Sequence, residues 1–230
     1  ARSNPKVTCY RYHEYLGALM KDYTSLCVAG SHGKTTTTGM LAAMMDEIAP
    51  TGHLIGDGSG EIHPDSQYLA VEACEYRRHF LAYHPDYAII TNADLDHVDY
   101  FKTEADYAKG LVLFGDDPKV RALRIDPKVT HYYYGVDDGN DFQAVNIVET
   151  SEDMHFDVLF QGKLQGHFDL PFVGRHLLWN SLGVIALGLL EGYTAEQIEP
   201  GLASFKGTKR RFTIEKHGEN VFVDDYAHHP

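Results

Sequence analysis

Short apolar runs closed by glycine or polar turns dominate the first half of the chain. Leu26, Cys27, Val28 and Ala29 form one such run, ended by Gly30, and predict a buried strand. The apolar stretch from Gly39 to Met45 predicts a helix directly after it. Two further strand candidates follow, "YLAVEAC" (68–74) and "DYAIITN" (86–92), the second preceded by the helical-looking "YRRHFLAYH". Residues 103–115 read as a helix capped by Thr103. Upstream, "YRYHEYLGALMKDY" has helical spacing at Tyr12, Tyr15, Leu16 and Leu19 with no strand before it, which predicts a lead-in helix within residues 1–24. Near-continuous apolar strands alternating with helices imply a parallel sheet covered on both faces.

The pattern changes from Val129 to Phe172. There "VTHYYYG", "FQAVNIVE", "MHFDVLF" and "GHFDLPF" alternate apolar and polar positions, separated by turn signals at Asp138-Gly139 and Gln161-Gly162-Lys163. This predicts an antiparallel patch inserted within the α/β domain. Helices return over 180–192 and 194–205, the second with Thr194 as N-cap and Glu196 and Gln197 in its first turn. The last stretch reads as a hairpin around His217-Gly218, then a polar cluster ending on Pro230, and the expectation is that the parent chain continues. The fold class is therefore α/β: a mostly parallel sheet flanked by helices, with an antiparallel β patch.

Composition narrows the function. The chain has 230 residues and 43% apolar content, enough for one large domain or two small ones with a real core. Its net charge of -13 repels nucleic acid and anionic membrane surfaces, so neither is expected as a partner. Three cysteines (Cys9, Cys27, Cys74) without paired spacing fit buried thiols in a reducing cytosol. No run approaches the roughly 18 apolar residues that span a bilayer, and the reading is a soluble cytoplasmic protein. The fourteen histidines are mostly scattered and read as solvated.

The candidate chemistry centres on "LCVAGSHGKTTTTGML", residues 26–41. A strand-to-helix turn there leaves backbone N–H groups pointing one way, and Gly30 and Gly33 let a phosphate approach them. Lys34 adds a movable cation and Thr35 a hydroxyl. The spacing is the shorter GxxGKT; the longer GxxxxGK[ST] would want glycine where Val28 stands. The alternative is an ordinary glycine turn capped by threonines, although the four threonines lower helix propensity and so need another reason to be there.

Three polar groups are expected at the carboxyl ends of presumed parallel strands, where open α/β sheets bind ligands. Glu72 and Glu75 sit in "VEACEY"; a carboxylate in an apolar strand needs a partner, either a divalent cation beside the loop or Arg77 and Arg78 in a surface ion pair. Asp96, His97 and Asp99 in "TNADLDHVDYF" bring two carboxylates and an imidazole: either a metal ligand whose ring Asp96 or Asp99 orients, or a structural histidine. Arg175, Arg210 and Arg211 are forks suited to phosphate or carboxylate, or solvated turn residues.

Taken together, these segments resemble the Mur ligase family, ATP-dependent amide-forming enzymes of peptidoglycan precursor synthesis. "VAGSHGKTTTTGML" resembles the family's phosphate loop, "TNADLDHVDYF" its metal-binding histidine stretch, "GRHLLWNSLGVIA" its adenine-side helix, "FKGTKRRF" its arginine motif, and "DDYAHHP" the opening of its C-terminal domain. The resemblance implies ATP and Mg²⁺ as cofactors. It implies that Gly30, Ser31, His32, Gly33, Lys34, Thr35 and Thr36 wrap the phosphates. Thr35 and Glu72 would bind one Mg²⁺ and His97 a second, making Lys34, Glu72 and His97 the catalytic set. His176 and Asn180 would face the adenine, with Arg211 and Asp225 touching ATP from the hinge. It further implies a three-domain parent: residues 1–24 as a linker helix after a UDP-binding domain, 25–211 as the central ATP-binding domain, and 212–230 as the hinge into an amino-acid-binding domain.

Two positions depart from the family pattern. Leu177 stands where a second adenine-side asparagine is usual. Lys109 falls short of the spacing of the carbamylated lysine used by sister ligases, which favours the alanine-adding branch, with UDP-N-acetylmuramate and L-alanine as substrates and no obligate protein partner. The piece is expected to bind ATP weakly and not to complete ligation. The rivals are a murein tripeptide ligase or folylpolyglutamate synthase of the same superfamily, a P-loop ATPase switch, and a non-catalytic nucleotide-binding module.

Overall fold

The computed structural model describes residues 8–73, 82–93, 109–207, 213–217 and 220–224, the last two segments as backbone. Among them, ten strands form one sheet in the order β10-β9-β8-β7-β6-β5-β1-β4-β2-β3. Its centre is β1 (Thr24–Ala29), which pairs in parallel with β4 (Tyr68–Glu72) on one side and β5 (Tyr87–Ile90) on the other. The chain therefore reverses its direction of travel across the sheet at β1, which opens a crevice at that strand's carboxyl end.

Burial is nearly continuous along β1 and β4 because both faces are covered, and successive side chains enter opposite cores. Leu26 and Val28 join one core with α2 (Lys34–Ile48), α4 (Arg175–Leu190) and α5 (Ala195–Ser204). Cys27 and Ala29 join a second core with Leu16 of α1 (Tyr12–Leu19) and Met20 just after it. The predicted lead-in helix is thus present and covers the sheet's second face. Each fully buried aliphatic side chain in these layers stabilises the fold by about 1.5–3 kcal/mol. On the first face α2 and α5 meet at backbone distance: a Cβ on Gly201 would lie 2.5 Å from the Met44 Cα.

Two expectations are corrected and one strand is added. Residues 110–114, read as part of a helix, form β6 (Gly110–Phe114), parallel to β5 and buried throughout. Five consecutive apolar residues carry no periodicity, and burial on both faces decides for a strand. The part of that expected helix over 103–108, with its Thr103 cap, lies outside the described residues. A further strand, β2 (Thr51–Leu54), pairs in parallel with β4 on the side away from β1, and β3 (Gly60–Glu61) closes that edge. The expected antiparallel patch is correct for β8 (Phe142–Glu149), β9 (Met154–Phe160) and β10 (Lys163–Leu170). However, β7 (His131–Gly135) runs parallel to β6, and β8 joins β7 in parallel, so the patch is the continuing edge of the same sheet. The short α3 (Pro118–Arg121) follows β6, and the predicted hairpin is β11 (Thr213–His217) with β12 (Asn220–Asp224).

Candidate nucleotide-binding site

The turn between β1 and α2 needs both of its glycines. Gly30 has φ of 136° and Gly33 of 80°, values that a side chain rarely tolerates. Space forbids one as well: a Cβ on Gly30 would lie 2.2 Å from Thr91 Oγ1. The turn is held from the carboxyl end of β5. Asn92 Oδ1 accepts from the N–H groups of Ser31 and His32, both at 2.8 Å, and Asn92 Nδ2 donates to the His32 carbonyl at 2.9 Å. Thr91 Oγ1 donates to the same carbonyl at 2.6 Å. Lys34 Nζ donates to the carbonyls of Gly30 (2.7 Å) and Ser31 (3.2 Å), which sets the ammonium across the loop.

Glycine at the N-cap means that α2, fifteen residues long, starts with no side-chain cap and no acidic residue in its first turn. Its partial positive end is left for an external anion. The threonine run also has its reason. Thr37 and Thr38 are fully buried, and Thr38 Oγ1 donates to the Lys34 carbonyl at 2.8 Å, while Thr35 and Thr36 stay half-buried at the helix start.

Glu72, the last residue of β4, reaches the same spot from the other side of β1. Its Oε1 accepts from Thr35 Oγ1 at 3.2 Å, and its Oε2 accepts from the Gly56 N–H at 2.6 Å. The partner that an apolar strand demanded for this carboxylate is therefore the loop threonine and a backbone amide. A hydroxyl and a carboxylate side by side at the end of a phosphate-type loop are hard oxygen donors of the kind a divalent cation takes. The residues present fit both a nucleotide phosphate tail and its cation.

Asn180 of α4 is buried beside the loop: a Cβ on Gly33 would lie 2.9 Å from Asn180 Oδ1. His176, one turn earlier on α4, is exposed next to Gly174. Arg175 lies over the Trp179 ring, 6.0 Å from its centre, and Leu177 packs partly buried against the first core. Lys109 precedes β6 at the opposite, amino edge of the sheet and pairs with Asp86 at 3.0 Å, away from the loop. Glu75, Arg77, Arg78, Asp96, His97, Asp99, Arg210, Arg211 and Asp225 lie outside the described residues. Asn92, Thr91 and Gly56 were missed in the sequence; the first two stand at the head of the stretch singled out for its later Asp96, His97 and Asp99. Of the two described thiols, Cys27 is buried as expected whereas Cys9 is exposed.

Residues 28–188 match the family model for the Mur ligase middle domain. The chain belongs to the Mur ligase family. Among curated relatives of that family, the UDP-N-acetylmuramate–L-alanine ligase of Lactiplantibacillus plantarum is 48% identical over 232 residues, covering 96% of this chain and 53% of the relative. The enzyme of the same name from Levilactobacillus brevis is 49% identical over 96% of this chain and 52% of its own length. The chain thus spans about half the length of the curated relatives it matches. Among solved structures, the UDP-N-acetylmuramate-alanine ligase of Thermotoga maritima superposes with a TM-score of 0.78 at 25% identity, over 94% of this chain and 54% of that one. The α/β fold derived above is the Mur ligase middle-domain fold.

Proposed function

We propose that this chain is the ATP-binding part of a ligase that joins L-alanine to UDP-N-acetylmuramate, forming ADP and phosphate. The names of its relatives support the substrates, and the position of Lys109, remote from the loop, accords with the alanine-adding branch. The observation that carries the nucleotide reading is the junction of an uncapped helix start, Lys34, and the Thr35 and Glu72 oxygens at one strand end.

The chemistry follows from charge. The muramate carboxylate attacks the γ-phosphorus of ATP, and ADP leaves; the alanine amine then attacks the acyl carbon, and phosphate leaves. Two anions must meet in the first step, so cationic and N–H donors fixed beforehand lower its barrier. Lys34 would leave its loop carbonyls for the β- and γ-phosphate oxygens, while the amide groups from Gly33 to Thr36 would face the phosphates; those of Ser31 and His32, expected to join them, donate to Asn92 and hold the loop's shape instead. Thr35 and Glu72 would hold Mg²⁺, and His97 a second ion; the cation supplies neutralisation of phosphate charge. Asn180 would bear on the nucleotide from α4, with His176, Arg211 and Asp225 completing its contacts. In this reading residues 1–24 and 212–230 are the connections to flanking domains, and ligation belongs to the whole protein. A cytoplasmic setting, where ATP and UDP-linked precursors are found, is part of this reading; among the described residues no helix is long and apolar enough to cross a membrane.

Calorimetric titration of the chain with ATP and Mg²⁺ tests the reading. Lys34→Ala should weaken binding at least tenfold, about 1.4 kcal/mol. Glu72→Gln should weaken it with Mg²⁺ far more than without. Unchanged ATP affinity in Lys34→Ala would overturn the site. With the whole protein, phosphate release that requires UDP-N-acetylmuramate and prefers L-alanine over other amino acids supports the substrate assignment, and preference for a muramoyl-peptide or folate acceptor refutes it.

A further inference from the structure

Away from the loop, the solvent face of β9 and β10 gathers a second set of polar side chains. The register pairs His155 with Asp169 and Asp157 with His167, so all four point to one face, while Phe156, Val158 and Phe168 are buried on the other. One nitrogen of each histidine and one oxygen of Asp169 lie within 4.8 Å of one another. Asp169 Oδ1 is 2.5 Å from His155 Nδ1 and 3.1 Å from His167 Nε2, between the two rings. The rings are nearly parallel, 6° apart in plane and 6.5 Å between centres.

What distinguishes this cluster from a random pairing of surface charges is the far side of each ring. The remaining nitrogen of His155, Nε2, is 3.2 Å from Asp153 Oδ1, and that of His167, Nδ1, is 2.7 Å from Asp157 Oδ1. Each imidazole is thus oriented from behind by a carboxylate, the arrangement that fixes tautomer and ring direction in metal-binding histidines. Asp157 is itself held: its Oδ2 accepts from Asn146 Nδ2 at 2.7 Å. Asn146 sits at a bulge in β8 with φ of 53°, so the strand leaves regular pairing where it supplies that hydrogen bond.

We propose that His155, His167 and Asp169 form a binding site for a borderline divalent cation such as Zn²⁺, with Asp153 and Asp157 as orienting residues. Two imidazoles and a carboxylate suit such an ion, whereas Mg²⁺ and Ca²⁺ prefer oxygen-only shells. The site lies on the edge strand β10 and its neighbour, and a bound ion would tie the two together at the sheet's end. It is separate from the nucleotide site and does not depend on that reading.

The test uses Co²⁺ alone as a visible probe and Zn²⁺ alone as a diamagnetic one, on the chelator-stripped chain at slightly alkaline pH. The chain should take up one equivalent more Co²⁺ than His155→Gln/His167→Gln, with a matching loss of visible absorption in the variant. Asp157→Asn should weaken that equivalent roughly 10–100-fold without removing it. Because ring orientation is at issue, imidazole nitrogen resonances of the unmodified chain give a reading free of folding effects: those of His155 and His167 should shift together over the first equivalent of Zn²⁺. Equal uptake by chain and double variant, or imidazole signals of these two residues that stay put on Zn²⁺ addition, would overturn the proposal.

Discussion

Around β1 the strands run parallel and are covered on both faces, so polar residues are confined to the strand ends. At β8 to β10 the strands run antiparallel and present one face to solvent, so every second residue can be polar along the whole length. Glu72, Thr91 and Asn92 accordingly converge on one turn at the carboxyl edge, whereas His155, Asp157, His167 and Asp169 spread across a surface. The parallel region builds a crevice from backbone and a few side chains. The antiparallel region builds a checkerboard from side chains alone. The same sheet therefore carries two kinds of polar site, and strand direction decides which.

Replacing a core side chain of the antiparallel end tests how far the two regions are one unit. Phe156 is fully buried and stacked on Phe168, and Phe156→Ala should cost about 3–5 kcal/mol in denaturant unfolding. A single coincident transition by fluorescence and circular dichroism would show that both ends unfold together; a split transition would separate them. At the parallel end, Gly30→Ala forces a Cβ onto Thr91 at a left-handed position. It should cost about 1–3 kcal/mol and abolish measurable ATP binding by calorimetry, a loss of binding that Phe156→Ala should not reproduce in its folded fraction. Asn92→Ala leaves the turn amides without their acceptor. It should destabilise by roughly 1–3 kcal/mol and raise hydrogen exchange at Ser31 and His32 selectively.

A smaller effect tests the amino edge of the parallel region. Partial burial pushes the Asp86 carboxyl up, but the Ser25 N–H and the Lys109 ammonium outweigh it and hold the group below its ordinary value of 3.8. Its stabilisation is complete above that unfolded value and is lost as pH falls through the lower folded one. Asp86→Asn should therefore lower the melting temperature at neutral pH, with the difference from the unmodified chain vanishing in strong acid. The smallest perturbation is chemical labelling. Burial pushes the Cys27 thiol up to about 12, offset only in part by its backbone hydrogen bond, so a thiol reagent should modify exposed Cys9 and spare Cys27 in the native chain, as read by mass spectrometry.

Sequence legibility followed the same divide. The strand, turn and helix from Thr24 to Ile48 could be read because two glycines and a lysine punctuate an apolar run. Alternation from Met154 to Phe160 gave β9 and its buried face directly. Gly110–Phe114 could not be read, since a strand buried on both faces shows no period, and β2 was too short and glycine-broken to register. Nor does alternation specify whether a neighbour runs parallel, hence the error over β7. In the site, Lys34, Thr35 and Glu72 announced themselves as charged or hydroxyl groups in apolar surroundings. Asn92 did not, because its role is to hold backbone 60 residues away in sequence, a contact that only the crossover from β1 to β5 creates.

The Asn92 clamp also bears on kinetics. Ser31 and His32 are fastened to the neighbouring strand without any ligand, so the freedom of that turn is surrendered during folding. In the proposed site, capture of a triphosphate would then require one lysine to swing rather than a segment to condense. Encounter should proceed close to the rate set by diffusion and charge, and a competing inhibitor would meet a rigid rim whose shape can be matched in advance.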